Sequence, residues 1–151
     1  MHPRKPLRYL GLDMGTRRVG VAVSDELGLT AQPVLTLGRK RNPRDDLRSL
    51  ARLARRFGVA GIVVGLPLRL SGEESPQARI TRAFAEELGK LTGLPIYFED
   101  ERLTSREAHA ILYQAGRKRQ THRRVVDQVA ATVILRGFLE RQGTREQGNR
   151  E

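Results

Sequence analysis

The chain has no cysteine. Disulfide bridges, zinc–thiolate centres and cysteine nucleophiles are therefore excluded. It has no tryptophan, and Phe, Trp and Tyr together make up 5% of its residues. No apolar run approaches the roughly 20 residues that span a bilayer. The opening Met1-His2-Pro3-Arg4-Lys5-Pro6 is basic but lacks an apolar signal core, so a cytoplasmic protein without a membrane partner is expected. Acid is scarce as well: 17 Asp and Glu face 28 Lys and Arg, for a net charge of +11.

What is abundant is arginine, 24 residues against 4 lysines. The guanidinium fork suits phosphate, and such a charge excess favours a polyanionic partner, nucleic acid first. Arginine-rich coding with a solvated surface is the plainer alternative.

At 151 residues the length suits one domain, expected over 1–141, with the polar segment 142–151 as a disordered tail. Two β-rich runs, 7–12 and 19–24, flank Gly15-Thr16-Arg17-Arg18 and predict a hairpin. A third strand is expected near Val34–Leu37. Asn42-Pro43 opens a helix with Leu47, Leu50, Ala51, Ala54 and Phe57 at helical spacing, and Gly58 closes it. Ala60–Gly65 is continuously apolar and predicts a central strand buried on both faces. Ser75-Pro76 opens the next helix, with Ile80, Phe84, Leu88 and Leu91 as its stripe. A strand over 94–98 runs into Glu99-Asp100-Glu101. Thr104-Ser105-Arg106-Glu107 is a capping box for a further helix, and the last helix is expected over 123–141. A meander followed by right-handed crossovers gives an α/β fold: a five-stranded mixed sheet of order 3-2-1-4-5, helices on both faces.

Three groups of acids stand out. Asp13 falls where the alternation of the first strand calls for an apolar residue. A carboxylate there is costly unless an arginine or a divalent metal pairs with it. Glu99-Asp100-Glu101 ends a strand, where open α/β sheets form their binding crevices. Asp127 shares a helical stripe with Ala131, Ile134 and Phe138, which turns it inward. Converging carboxylates suit Mg2+ or Mn2+, and two such ions can hydrolyse a phosphodiester. Each acid also has a structural alternative. Asp13 could accept hydrogen bonds from Gly15 and Thr16 in a turn. Asp127 could pair with Arg123 or Arg124, and residues 99–101 could form a solvated loop.

Arg117, Lys118, Arg119, Arg123 and Arg124 carry no acid between them and no aromatic for base stacking. They read either as a phosphate-gripping loop without sequence preference or as a solvated connector. Gly65 and Gly72 could admit a phosphate backbone, or simply let the strand exit into a loop. His2, His109 and His122 lack metal-ligand spacing.

Gly11-Leu12-Asp13-Met14-Gly15-Thr16-Arg17-Arg18-Val19-Gly20-Val21-Ala22-Val23-Ser24-Asp25, Val63–Leu68, Asp100-Glu101-Arg102-Leu103-Thr104, and Val126-Asp127 with Ala130-Ala131 and Ile134-Leu135 closely resemble the YqgF (RuvX) family over residues 7 to about 140. The resemblance implies an RNase H-like fold. It implies a metal-dependent nuclease, described either as a Holliday-junction resolvase or in processing of the 5′ end of precursor 16S ribosomal RNA. By motif, Asp13, Glu101 and Asp127 would be the catalytic acids and the ligands of Mg2+ or Mn2+, two ions in number. Asp100 replaces Glu101 if the strand register slips by one. RNA is expected over DNA as partner, held by Arg17, Arg18, Arg102, Arg117, Lys118, Arg119, Arg123 and Arg124, with Arg69 in reserve, by a monomer or homodimer. The first motif also looks like the phosphate-holding hairpin of sugar-kinase and actin-like ATPases, which need a second domain. A non-catalytic RNA-binding assembly factor is the remaining alternative.

Overall fold

A computed structural model describes residues 7–69, 71–101 and 119–148. β1 (Tyr9–Met14), β2 (Arg18–Ser24) and β3 (Ala31–Gly38) form an antiparallel meander. α1 (Pro43–Phe57) leads to β4 (Gly61–Leu66), and α2 (Pro76–Thr92) leads to β5 (Ile96–Asp100). The sheet order is β3-β2-β1-β4-β5, with β4 parallel to β1 and β5 parallel to β4. This is the predicted order, and β4 is buried along its whole length, an interior strand between β1 and β5. The C-terminal helix, α3 (Arg119–Gly148), packs chiefly on β2, β3 and β1.

Local chemistry sets the helix ends. The Asn42 side chain accepts from the Arg44 N–H, and Ser75 from the Ala78 N–H. Gly58 and Gly93 close α1 and α2 in the left-handed conformation, at φ 59° and 72°, which costs glycine little. Some boundaries differ from expectation. β3 is longer than 34–37 because an edge strand tolerates Pro33 beside the register shift at Val21/Ala22. β5 starts two residues late: at Leu94-Pro95 the Pro95 carbonyl accepts from Ile62 N–H, and the ladder pairing of β5 with β4 begins at Ile96. The buried stripe of α2 is Ala78, Thr81, Ala85 and Leu88. Ile80 and Leu91, expected inward, are exposed, because the smaller residues let the helix lie closer to the sheet. α3 begins at Arg119 rather than 123 and continues to Gly148. No glycine or proline interrupts 119–123, so nothing stops the helix there. The expected helix opened by Thr104 lies outside the described residues.

Strand alternation divides the core in two. On one face, Leu10, Leu12, Met14, Val19, Val21, Ile62 and Val64 pack against Leu50 and Ala54 of α1 and Ala85 and Leu88 of α2. On the other, Ala22 and Val63, with Tyr9 and Tyr97, pack against Ala131, Ile134, Leu135, Phe138 and Leu139 of α3. Among the described residues no helix is long and apolar enough to cross a membrane.

Candidate active site

Three glycines let α3 reach the sheet. A Cβ on Gly20 would lie 1.9 Å from the Asp127 carbonyl oxygen, and one on Gly11 would lie 2.8 Å from Leu135 Cβ. A Cβ on Gly65 would meet Ile134 Cδ1 at 2.6 Å and Glu101 Oε1 at 2.8 Å. Gly65 therefore makes room for protein rather than for a phosphate. Gly72, at φ 92°, serves a turn in which its N–H donates to the Arg69 carbonyl.

Asp13 lies in β1 opposite Gly20 of β2. It is not a turn acceptor, since the β1–β2 turn is closed by the Gly15 N–H donating to the Arg18 carbonyl. Glu101 follows the last residue of β5 and is hydrogen-bonded to Asp13. Tyr97 packs on the α3 side and Phe98 on the α1 side, so alternation assigns Glu99 and Glu101 to Asp13's face and Asp100 to the other.

Burial is the largest influence on Glu101. The hydrogen bond to Asp13 and the negative charges of Asp13 and Asp100 act in the same direction, and its carboxyl is pushed up to about 9. Asp13 is also raised, first by burial and then by the charge of Asp127, while the hydrogen bond from Glu101 opposes the shift. Both carboxyls are thus pushed toward their protonated forms, and the hydrogen bond between them lets the pair share a proton. Two adjacent carboxyls in a poorly solvated site cannot both ionise at ordinary pH.

Asp127 faces the sheet in its predicted stripe, and among the described side chains its partner is Arg18 of β2 rather than Arg124. Arg18 Nε donates to Asp127 Oδ2 at 2.7 Å, and the two side chains are 31% and 18% exposed. Thr36 Oγ1 donates to the Arg124 carbonyl at 2.8 Å and accepts from Gln128 Nε2 at 3.2 Å, tying this part of α3 to β3. The three acids therefore share one region of the α3 face: two are joined directly, and the third is felt through its charge while an arginine holds it. Among the described residues, no group of three Asp, Glu, His or Cys already stands at metal-binding distances. The donor set nevertheless fits a hard divalent cation. All three groups offer oxygen, and their negative charge is offset by the hydrogen bond that joins Asp13 to Glu101 and by the Arg18 guanidinium on Asp127.

Arg17 and Arg69 are exposed, as is Arg124. Arg119 and Arg123 lie in the first turns of α3. Arg102, Arg117 and Lys118 lie outside the described residues, while Arg119, Arg123 and Arg124, expected in the basic loop, belong to the start of α3. Glu99, read only as part of an acid cluster, is buried and ion-paired with Arg141 of α3. The parity it shares with Glu101 was the available signal.

A family profile described as "RuvX: Holliday junction resolvase" matches residues 7–141. A protein of Moorella thermoacetica named "Putative pre-16S rRNA nuclease" is 50% identical over 137 residues, covering 91% of this chain and 97% of that one. A Symbiobacterium thermophilum protein of the same name is 45% identical, covering 92% and 96%. Among solved structures, T. thermophilus RuvC in complex with Holliday junction substrate aligns with a TM-score of 0.60 at 16% identity, over 91% of this chain and 97% of that one. That likeness establishes the RNase H-like fold, and the sequence matches establish kinship: this chain belongs to the RuvX family.

Proposed function

We propose that the protein is a divalent-metal-dependent nuclease that acts on RNA, with the 5′ end of precursor 16S rRNA as its substrate. The observation that carries this reading is the proton-sharing Asp13–Glu101 pair, with the charge of Asp127 beside it. Buried like charges are destabilising as structure, and here they are kept at the end of a strand in an α/β sheet, where ligands bind. The relatives named for pre-16S rRNA favour RNA. The net charge of +11 favours a polyanion.

Asp13, Glu101 and Asp127 would hold Mg2+ or Mn2+, two ions in the full complement. Such ions supply an activated water and stabilise the leaving oxygen of a phosphodiester. Asp13 contributes a carboxylate fixed by β1. Glu101 and Asp127 would offer carboxylate oxygens beside it, and the Arg18 guanidinium, which is paired with Asp127 in the metal-free protein, would be placed to hold a non-bridging phosphate oxygen through its bidentate fork. Arg17 and Arg124 lie exposed and extend this basic rim.

The test is direct. The purified chain is incubated with Mn2+ and labelled single-stranded RNA, precursor rRNA, single-stranded DNA and a four-way DNA junction, side by side, with Asp13→Asn as control. Cleavage of the RNAs that Asp13→Asn abolishes supports the reading. Preferential cleavage of the junction, which the family description favours, would make the protein a resolvase and require two sites, hence a dimer. Salt-sensitive binding without turnover on any substrate would replace both with a non-catalytic assembly factor.

A further inference from the structure

The acids lie on the α3 side of the sheet, and α1 lies on the other. Leu50 and Ala54 of α1 pack inward with Leu12 and Ile62. Its outward surface is made of Arg44, Arg48, Arg52, Arg55 and Arg56, all exposed. Arg44, Arg48, Arg52 and Arg56 follow one another at intervals of four, so they stack along a single helical face.

This arrangement has no sufficient explanation among the described residues. Like charges at i, i+4 destabilise a helix, and three such pairs follow in succession here. Arg55 and Arg56 sit in the last turn, where they complement the negative end of the helix dipole. Arg44 is in the first turn, where that dipole opposes it. Asp46 is taken by Arg39, with Nε to Oδ2 at 2.9 Å. Among the described residues two acids stand near the stripe: Asp45, whose Oδ1 is 4.0 Å from Arg48 Nη1 with both side chains well exposed, a contact of little strength, and Glu87 of α2, which lines a pocket with Arg44 and Arg48 but is ion-paired with Lys90 at 3.6 Å. Beside the stripe, between α1 and the end of α2, lies an open groove of about 530 Å³. Arg48, Arg52 and Arg55 rim it, over a floor that includes Ala51, Val59 and Leu94. Successive arginines rise about 6 Å along the axis, which suits a row of separate phosphates better than one compact anion.

We propose that the outward face of α1 is a second nucleic-acid-binding surface, which grips the phosphodiester backbone of RNA outside the segment offered to the acids. Because the sheet separates the two sites, a short strand cannot fill both. The surface therefore takes a structured part of a long RNA that folds around the domain. The inference rests on the reading of nucleic acid as substrate.

The experiment compares wild type with the triple variant Arg44→Gln, Arg48→Gln, Arg52→Gln. One substrate is an oligonucleotide just long enough to cover the acids. The other is a long RNA with a duplex beside the cleavage point. The triple variant is expected to bind the long RNA about tenfold more weakly at moderate salt. Its salt slope should fall by up to ~0.9 for each duplex phosphate that it no longer neutralises. Binding and cleavage of the short oligonucleotide should be unchanged. A triple variant with lysine at the three positions should regain the slope. Unchanged affinity and slope for the long RNA would overturn the proposal. So would tight binding of wild type to phosphatidylserine vesicles together with an arginine-independent RNA affinity. Should the triple variant lose helical signal, Arg48→Gln and Arg52→Gln singly carry the same test. Failure of wild type to cleave the short oligonucleotide would instead overturn the nuclease reading, so the two failures are distinct.

Discussion

The two faces of the sheet are built on opposite rules, and β1 contributes to both from consecutive residues. Toward α1 and α2 it presents Leu10, Leu12 and Met14, all buried among large aliphatic side chains. Toward α3 it presents Tyr9, Gly11 and Asp13, with Gly20 and Ala22 beside them on β2. The first face fills space with side chains and gains the burial free energy that holds the domain together. The second gives up side-chain volume so that a helix backbone can touch the sheet. The Asp127 main chain then arrives against Gly20, and its carboxylate is brought near enough for its charge to act on Asp13 while Arg18 holds it. A fold can sustain a costly site on one face when the other face supplies the stability.

The sharpest way to break this comparison is to change neighbours on β1. Asp13→Asn should lower metal-dependent cleavage by at least about a hundredfold. It should leave the circular dichroism spectrum and Tm of the metal-free protein undiminished, because a strained buried charge is removed. Leu12→Ala should do the reverse, costing ~2–5 kcal/mol in denaturant unfolding while the folded fraction keeps its kcat. If both variants lose stability and activity alike, the division of labour between the faces is wrong.

Gly20→Ala tests the close approach of the helix. A methyl 1.9 Å from a carbonyl oxygen must displace α3, and urea unfolding should report a loss of about 3 kcal/mol. Cleavage should fall with it, as Asp127 moves away. Wild-type stability in this variant would show that the contact is not needed. Arg18→Ala should be milder, at about 1 kcal/mol in metal-free protein for a partly exposed charged hydrogen bond. It should raise Mn2+ affinity measured by calorimetry, because Asp127 no longer has to exchange a partner. Weaker Mn2+ binding would contradict that role.

The smallest effect is expected away from both faces. The Asp25 carboxylate accepts from the Thr30 and Leu29 backbone N–H groups at 2.8 and 2.7 Å. These bonds, that from Thr30 first, hold its pKa below the usual 3.8. The folded state therefore binds this proton less readily than the unfolded state. The stabilisation is present above pH 3.8 and is lost as pH falls through the lower folded value. Asp25→Asn should lower Tm slightly at neutral pH and converge with wild type in acid, so that this acid limb is flattened in thermal melts taken from neutral pH down into the acid range. An unaltered limb would show that the turn does not depend on the charge.

Local signals in the sequence were enough for most of the frame. Asn42-Pro43 and Ser75-Pro76 announced their helices, Gly58 ended the first of them, and the unbroken apolar run of β4 marked a strand in the interior of the sheet. Asp127 could be oriented because its stripe includes Ala131, Ile134 and Phe138, all of which are buried. Contacts between distant residues were not legible. Arg18 and Asp127 are 109 positions apart, and nothing near either residue names the other. Helical spacing likewise suggested nearby Arg123 and Arg124 as partners. Gly65 was read for the space that glycine leaves, and only the packed structure shows what occupies it. The stripe of α2 was misjudged for a related reason. Hydropathy selected Ile80 and Leu91, whereas close packing selected Ala78 and Thr81.

The glycine contacts also bear on insertions and deletions. α3 meets the sheet through main-chain atoms at Asp127 and Ala131 and through the Leu135 Cβ, which sit over Gly20 and Gly11. Side chains around those points can change while the helix keeps its seat. A single residue inserted between Asp127 and Leu135 would turn one end of the helix by about 100° relative to the other. Either the carboxylate would leave the sheet or the Leu135 end would lose its footing. The number of residues in this segment is therefore as strict a requirement as the identity of the acid, and length variation should be tolerated in the turns and at the far end of the helix instead.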